Sequence, residues 1–238
     1  MDQSYGEIKH EKVKLPEIRT YVYETVGKEL EAFGYKFRKS DFTFRKKAGK
    51  NNIWFIFIYL DYNPVNYNVK FSFNVFNNTI QEIKSKIIFN EFLGSTDWAS
   101  FQIPLGDFIE SEKEKEIKWR SSYNYYLYNR KQLVDAAAQM SGLLKEEILP
   151  LCETLFTIDG INDLFAQKGV AWSVRSLSIN NMTADLISAK LSGKRDYHKV
   201  YTALMTELKP MLNNGYHASA LQAMEDVYQY LNAHKQEL

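Results

Sequence analysis

The sequence predicts an α+β fold: an antiparallel sheet of about four to five strands, packed by helices and followed by an all-helical C-terminal extension. Three observations carry this. Between residues 42 and 105, aromatic and β-branched residues alternate with other types at a period of two, as strands require. On either side, at 16–33 and from 130 onward, apolar residues recur every three to four positions instead. No Pro-, Gly- or Ser-rich linker separates these blocks, so they are expected to share one core.

The elements follow in order. Ile18, Val22, Val26, Leu30 and Phe33 sit at helical spacing, with Pro16 suited to the first turn and Gly34 to the stop. Short strands are expected near 35–38 and 42–47, the second turning through "KKAGKNN" into a central strand. In "NNIWFIFIYLDYNPVNYNVKFSFNVFNN", residues 51–78, Ile53, Phe55, Phe57 and Tyr59 alternate with Trp54, Ile56, Ile58 and Leu60. Both sets are apolar, the mark of a strand covered on both faces.

The neighbouring strands are one-sided. Val69, Phe71, Phe73 and Val75 oppose Lys70, Ser72 and Asn74; Phe42 and Phe44 oppose Thr43, Arg45 and Lys47; Phe101, Ile103 and Leu105 oppose Gln102 and Pro104. The second face of the sheet should therefore show an apolar ridge, Trp54-Ile56-Ile58, between polar flanks. Either a later helix covers that ridge, or it is the floor of a groove that binds a partner or ligand.

Thr79 and Glu82 read as a capping box for a short helix through Ile80, Ile83 and Ile87. A strand follows near 99–105, then the charged loop "ESEKEKE", then "IKWRSSYNYYLYN" as a strand running into a loop. Leu133, Ala137, Met140, Leu144, Ile148 and Leu151 mark one long helix over 130–156, which Pro150 should kink. A short helix runs through Ile161 and Leu164, and three more span Met182 to Leu191, Tyr197 to Leu212 and His217 to Leu231. The division expected is a sheet domain over 1–168 and a helical tail over 169–238 packed on it.

Composition excludes several classes. The chain has 238 residues, 45 % hydrophobic and 25 % charged, ordinary for a globular protein. A net charge of +1 gives no overall field to recruit nucleic acid or an anionic membrane. The apolar run Ile53 to Leu60 is far shorter than the roughly 20 residues of a spanning helix, so no membrane role is expected. Cys152 is the single cysteine, which rules out a disulfide framework and fits a reducing compartment. The charged N-terminus lacks a signal-peptide core, so a cytoplasmic location is expected. The terminal "KQEL" and the Asn-x-Thr motifs at Asn77 and Asn181 then carry little weight.

Motifs for chemistry are missing. There is no P-loop, Gly-x-Gly-x-x-Gly, Gly-x-Ser-x-Gly or His-Glu-x-x-His. His10, His198, His217 and His234 stand alone, without metal-ligand spacing. Cys152 lies on an apolar stripe with nothing local to lower its pKa, as a buried inert thiol does. Asp61, Asp97 and Asp107 sit where turns are expected. No catalytic residue, cofactor or metal is assigned.

Two surfaces are candidates. One joins Trp54, Ile56, Ile58, Lys70, Ser72 and Asn74 with the tyrosine loop Tyr123, Tyr125 and Tyr126, since exposed tyrosines favour protein interfaces. The other is the basic hairpin "YKFRKSDFTFRKKAGK", with Lys36, Arg38, Arg45, Lys47 and Lys50 interleaved by Phe37, Phe42 and Phe44. Its cations suit phosphates or an acidic protein. They equally suit an edge strand guarded against aggregation, with the phenylalanines in the core.

The stretch from "LEAFGYKFRKSDFTFRKK" through "FSFNVF" resembles the start of a bacterial domain-of-unknown-function family. That family shows a helix, Gly-Phe-x-Lys/Arg, a Phe-x-Arg strand, a further strand and a Phe-x-Asn strand. Gly34-Tyr35, the strand at Phe44 and Phe73-Asn74 carry the likeness, with Tyr35 where the family has Phe. "FQIPLG" and "ILPLCETL" are similar to its second half. The likeness covers residues 25–168 and implies an α+β fold and a bacterial origin. Related small domains sit near toxin–immunity and defence loci, which implies protein binding. The expectation is thus a non-enzymatic protein-binding module, immunity- or defence-associated. The alternatives are a nucleic-acid binder using the basic hairpin, and an enzyme whose site assembles only in three dimensions.

Overall fold

A long hairpin, β3 (Asn51–Tyr62) and β4 (Asn66–Phe76), is the centre of the computed structural model. The structure describes residues 13–62, 66–87, 99–104, 124–127, 129–175, 178–211 and 215–234. β1 (Lys36–Arg38) and β2 (Thr43–Ala48) extend the sheet on one side. β5 (Phe101–Pro104) and β6 (Asn124–Leu127) share the far edge of β4, at Ser72–Val75 and Tyr67–Lys70 respectively. The six-stranded sheet is antiparallel throughout, in the order β1-β2-β3-β4-β5, with β6 also on β4. It has one strand more than the upper expectation. β2 turns into β3 through Gly49-Lys50, and a φ of +61° at Gly49 suits the first position of a type II′ hairpin turn.

The expected alternation holds. One face of the sheet buries the row Phe44, Phe55, Phe73 and Ile103, together with Ile53, Phe57, Val69, Phe71, Val75 and Phe101. Two expectations fail at the ends of elements. Phe42 is not part of β2: its φ of +53° ends the strand, although its ring still packs against the core. Phe33 is not on the buried stripe; it follows the last helical turn and is 45 % exposed.

The first helix is α1 (Leu15–Val22), a π turn (Tyr23–Gly27) and α2 (Lys28–Ala32). Its spacing explains the π turn. Ile18, Val22, Val26 and Leu30 are each four apart, and an α-helix drifts about 40° per four-residue step. A wider i→i+5 turn absorbs that drift, and all four side chains are buried. The long helix repeats the device: α4 (Arg130–Leu143), a π turn (Leu144–Ile148) and α5 (Leu149–Thr154) bury Met140, Leu144, Ile148 and Cys152. The kink expected at Pro150 falls in the first turn of α5, where a residue with no N–H to donate is tolerated; the irregular turn lies just before it, at Leu144–Ile148.

α3 (Asn78–Lys86) starts differently from the expected capping box. Asn77 is the cap, its Oδ1 accepting from the Ile80 N–H at 3.2 Å, while Glu82 accepts from Asn78 Nδ2. The remaining helices are α6 (Ile158–Lys168), α7 (Val170–Arg175), α8 (Ile179–Ser192), α9 (Tyr197–Leu208), extended by a 3₁₀ turn (Lys209–Met211), and α10 (Gly215–Ala233). α7 has no counterpart in the sequence reading.

α8 is buried all round from Asn181 to Ala189, with α6, α7, α9 and α10 packed about it and β5 beside it. Its polar groups are matched. Asn181 accepts from the Gln102 N–H and donates to the Gln102 C=O, closing the edge of β5. Asp185 accepts from Arg195 at 2.7 Å and from Ser173 at 2.8 Å, and Arg195 donates to Asn162. Both Asn-x-Thr asparagines, Asn77 and Asn181, are buried. One continuous core runs from the helices through the inner sheet face. Among the described residues no helix is long and apolar enough to cross a membrane.

Candidate functional site

Cross-strand register merges the two sequence candidates into one surface. Lys36, Arg45, Trp54, Asn74 and Gln102 form a single row across five strands. The next row is Arg38, Thr43, Ile56, Ser72 and Pro104. Lys47, Asn52 and Phe76 make a third, and Ile58, Lys70 and Asn124 align beyond. The basic hairpin and the ridge are thus the margin and the middle of the outer sheet face. Trp54, Ile56 and Phe76 are half-buried and stand outside the hydrophobic core.

The middle of the face is locally organised. The Arg45 guanidinium lies 3.6 Å from the Trp54 ring centroid, and Phe76 packs against the same indole at 4.2 Å. Arg45 also donates to Asp41 Oδ2 at 2.7 Å and to Thr43 Oγ1 at 3.2 Å. Thr43 donates in turn to Asp41 Oδ1, and Arg38 lies 3.6 Å from the same carboxylate. Gln102 Nε2 donates to Ser72 Oγ at 2.9 Å. Among the described residues, three polar atoms on this face are buried without a hydrogen-bond partner: Trp54 Nε1, Asn74 Oδ1 and Asn52 Oδ1. Trp54 and Asn74 are direct cross-strand neighbours.

The cations divide. Arg38 and Arg45 are held by Asp41, and Lys46, on the core side, pairs with Glu153 at 2.6 Å. Lys36, Lys47 and Lys50 are exposed and have no ion pair among the described residues. Phe44 is fully buried, and Phe37 and Phe42 pack against the core, so the hairpin offers no aromatic ring for base stacking. Trp54 already holds a guanidinium.

The tyrosine loop needs correction. Tyr125 is 5 % exposed and aligns with Val69 on the core face, so it is not part of the outer surface. The parity of β6 is set by its pairing with β4, which sequence alone does not give. Tyr126 aligns with Asn68 on the opposite parity. Tyr123, Tyr128 and the "ESEKEKE" loop lie outside the described residues.

Among the described residues no catalytic constellation replaces these surfaces. Burial pushes the Cys152 thiol up to about 12, and it lies against the Tyr35 ring system rather than a histidine. His198 is exposed and bonded to the Tyr228 hydroxyl, and His234 bonds to the Tyr230 carbonyl. A cleft of about 440 Å³ lies between α1–α2 and α4, lined by Glu24, Lys28, Glu29 and Ser141 among others. Its carboxylates are already paired: Glu24 with Lys28, and Glu29 with Lys145, with Ser141 also donating to Glu29. No cluster of metal-ligating side chains occurs among the described residues. No family model, no curated protein and no solved structure matches this chain.

Proposed function

We propose that this protein is a non-enzymatic protein-binding module, cytoplasmic and of the immunity- or defence-associated kind, whose outer sheet face is the recognition surface. The observation that carries the reading is the row Lys36-Arg45-Trp54-Asn74-Gln102. A buried donor or acceptor left unpaired costs about 1–3 kcal/mol, and Trp54 Nε1 and Asn74 Oδ1 stand unpaired side by side. A partner that supplies an acceptor and a donor there removes that cost. Tryptophan and arginine are the residue types that anchor interfaces. The unpaired Lys36 and Lys47 on the margin favour an acidic partner.

The test is affinity capture from the host of origin, with and without nuclease. A specific protein should be retained by the wild type and lost with Lys36→Glu/Lys47→Glu and with Asn74→Leu, while thermal unfolding stays unchanged in the lysine variant and is not lowered by Asn74→Leu, which removes a buried unpaired oxygen. Capture that is equal in all variants sinks the reading. The nucleic-acid alternative keeps one supporting observation, the unpaired lysines. It requires nuclease-sensitive binding that weakens steeply with salt.

A further inference from the structure

β3 outlasts its neighbour. β2 pairs with it only as far as Thr43↔Ile56, yet β3 runs on to Tyr62, and β4 stays paired to that end. The two-residue turn Gly49-Lys50 makes Ala48↔Asn51 a mutually bonded pair, so Asn51, Ile53 and Phe55 face β2. By the same alternation, Phe57, Tyr59 and Asp61 direct their N–H and C=O groups away from β4, into the lane that β2 has left. Phe57 still faces Phe42, the residue before β2, but among the described residues no backbone group meets Tyr59 and Asp61. Such an edge is a template for another strand. Apart from Asp61 the usual guards are missing from it: "FIYLDY", residues 57–62, contains no Lys or Pro.

Three further features line this lane. Phe42, with its left-handed φ of +53°, turns the chain out of β2 and sets its ring edge-on to Phe57 at 6.2 Å and Tyr59 at 5.6 Å. Arg19 of α1 lies over both Phe42 and Tyr59, at 6.0 and 5.4 Å, and has no ion pair among the described residues. The Tyr59 hydroxyl is buried without a hydrogen-bond partner.

We propose that this lane is a strand-addition site for an extended, carboxylate-bearing segment of a protein partner, lying beside Phe57–Asp61 as a continuation of β2. The main-chain groups of Tyr59 and Asp61 hold the segment, and alternate side chains confer specificity. A Glu or Asp on its core side pairs with the Arg19 guanidinium, which is unopposed and already fixed by the two rings. This inference rests on the protein-binding reading but uses a surface separate from the outer sheet face.

The probe is a phage-displayed random heptapeptide library panned on the intact chain. Enriched peptides should alternate β-branched or aromatic residues with others and carry an acidic residue. Asp61→Pro removes one edge N–H without touching the β3–β4 bonds, so it should weaken binding about tenfold or more. Asp61→Asn keeps that N–H and should bind as the wild type does. Arg19→Glu should turn the selected consensus from acidic to basic, a readout that a misfolded variant cannot give. Amide exchange should show the Tyr59 and Asp61 N–H groups unprotected alone and protected with peptide. No enrichment over an unrelated protein overturns the proposal. So do peptides that ignore Asp61→Pro and Arg19→Glu but are lost with Lys36→Glu/Lys47→Glu, an outcome that leaves the outer-face reading standing. A wild type that dimerises where Asp61→Pro does not also overturns it, since the lane then belongs to a second copy.

Discussion

Lys84 sits on α3 at 8 % exposure, and its ammonium donates to one partner, Asn180 Oδ1, at 2.5 Å. Burial pushes its pKa down from 10.5 to about 8. The unfolded chain therefore binds more protons than the folded one between about pH 8 and 10.5, and stability contributed by this residue rises with pH through that window. Lys84→Met should stabilise the protein at pH 7, by at most about 3 kcal/mol, and the gain should vanish near pH 10. Urea titrations of both proteins at the two pH values check this; an equal gain at both pH values contradicts it. Cys152 gives a second residue-scale expectation. With the thiol raised to about 12 and fully buried, a disulfide reagent at pH 8 should react only after unfolding. A stoichiometric reaction within seconds in native buffer would contradict that placement. Cys152 was legible as inert from its apolar neighbours. Lys84 was not, because its surroundings come from α8, almost a hundred positions away.

At the scale of elements, the π turns are the informative case. The strict four-residue repeat at Ile18, Val22, Val26 and Leu30 was visible as helical spacing, but the π turn within it was not read from that spacing. Gly27 shows why the wide turn also suits the packing: a Cβ there would lie 2.7 Å from Phe44 Cζ. Gly27→Ala should thus destabilise by about 1–3 kcal/mol through overpacking, although alanine is the better helix former. Gly142, in α4, has open space around it, and Gly142→Ala should stabilise by about 0.5–1 kcal/mol. Thermal unfolding of the two variants should move in opposite directions. The start of α3 was misread for a comparable reason. Asn77 and Thr79 are both competent caps, and the choice is made by Ser100, whose hydroxyl accepts the Asn77 N–H at 2.9 Å from a distant segment. Strand parity, by contrast, is local, and β3 and β4 were readable residue by residue.

For the whole molecule, what sequence withholds is register. Parity gave the outer-face residues of each strand, yet the hairpin cations and the ridge looked like two sites until Lys36, Arg45, Trp54, Asn74 and Gln102 aligned. The mismatch between six residues of β2 and twelve of β3 became meaningful only with that alignment. The helical half holds together through its own long-range network, in which Arg195 donates to Asp185 and Asn162 and Ser173 donates to Asp185, joining α6, α7 and α8. Arg195→Met leaves a buried carboxylate unpaired and should cost about 3–5 kcal/mol. Arg195→Met/Asp185→Leu should recover most of that loss, as denaturant midpoints will show; a double variant no better than the single one would assign the effect to packing. The amide of Asn181 has a different consequence. By bonding both main-chain groups of Gln102, one side chain occupies the place of a seventh strand. A chain cut at residue 168 would leave that sheet margin bare, and such a fragment should precipitate or form fibrils where the intact protein stays dispersed.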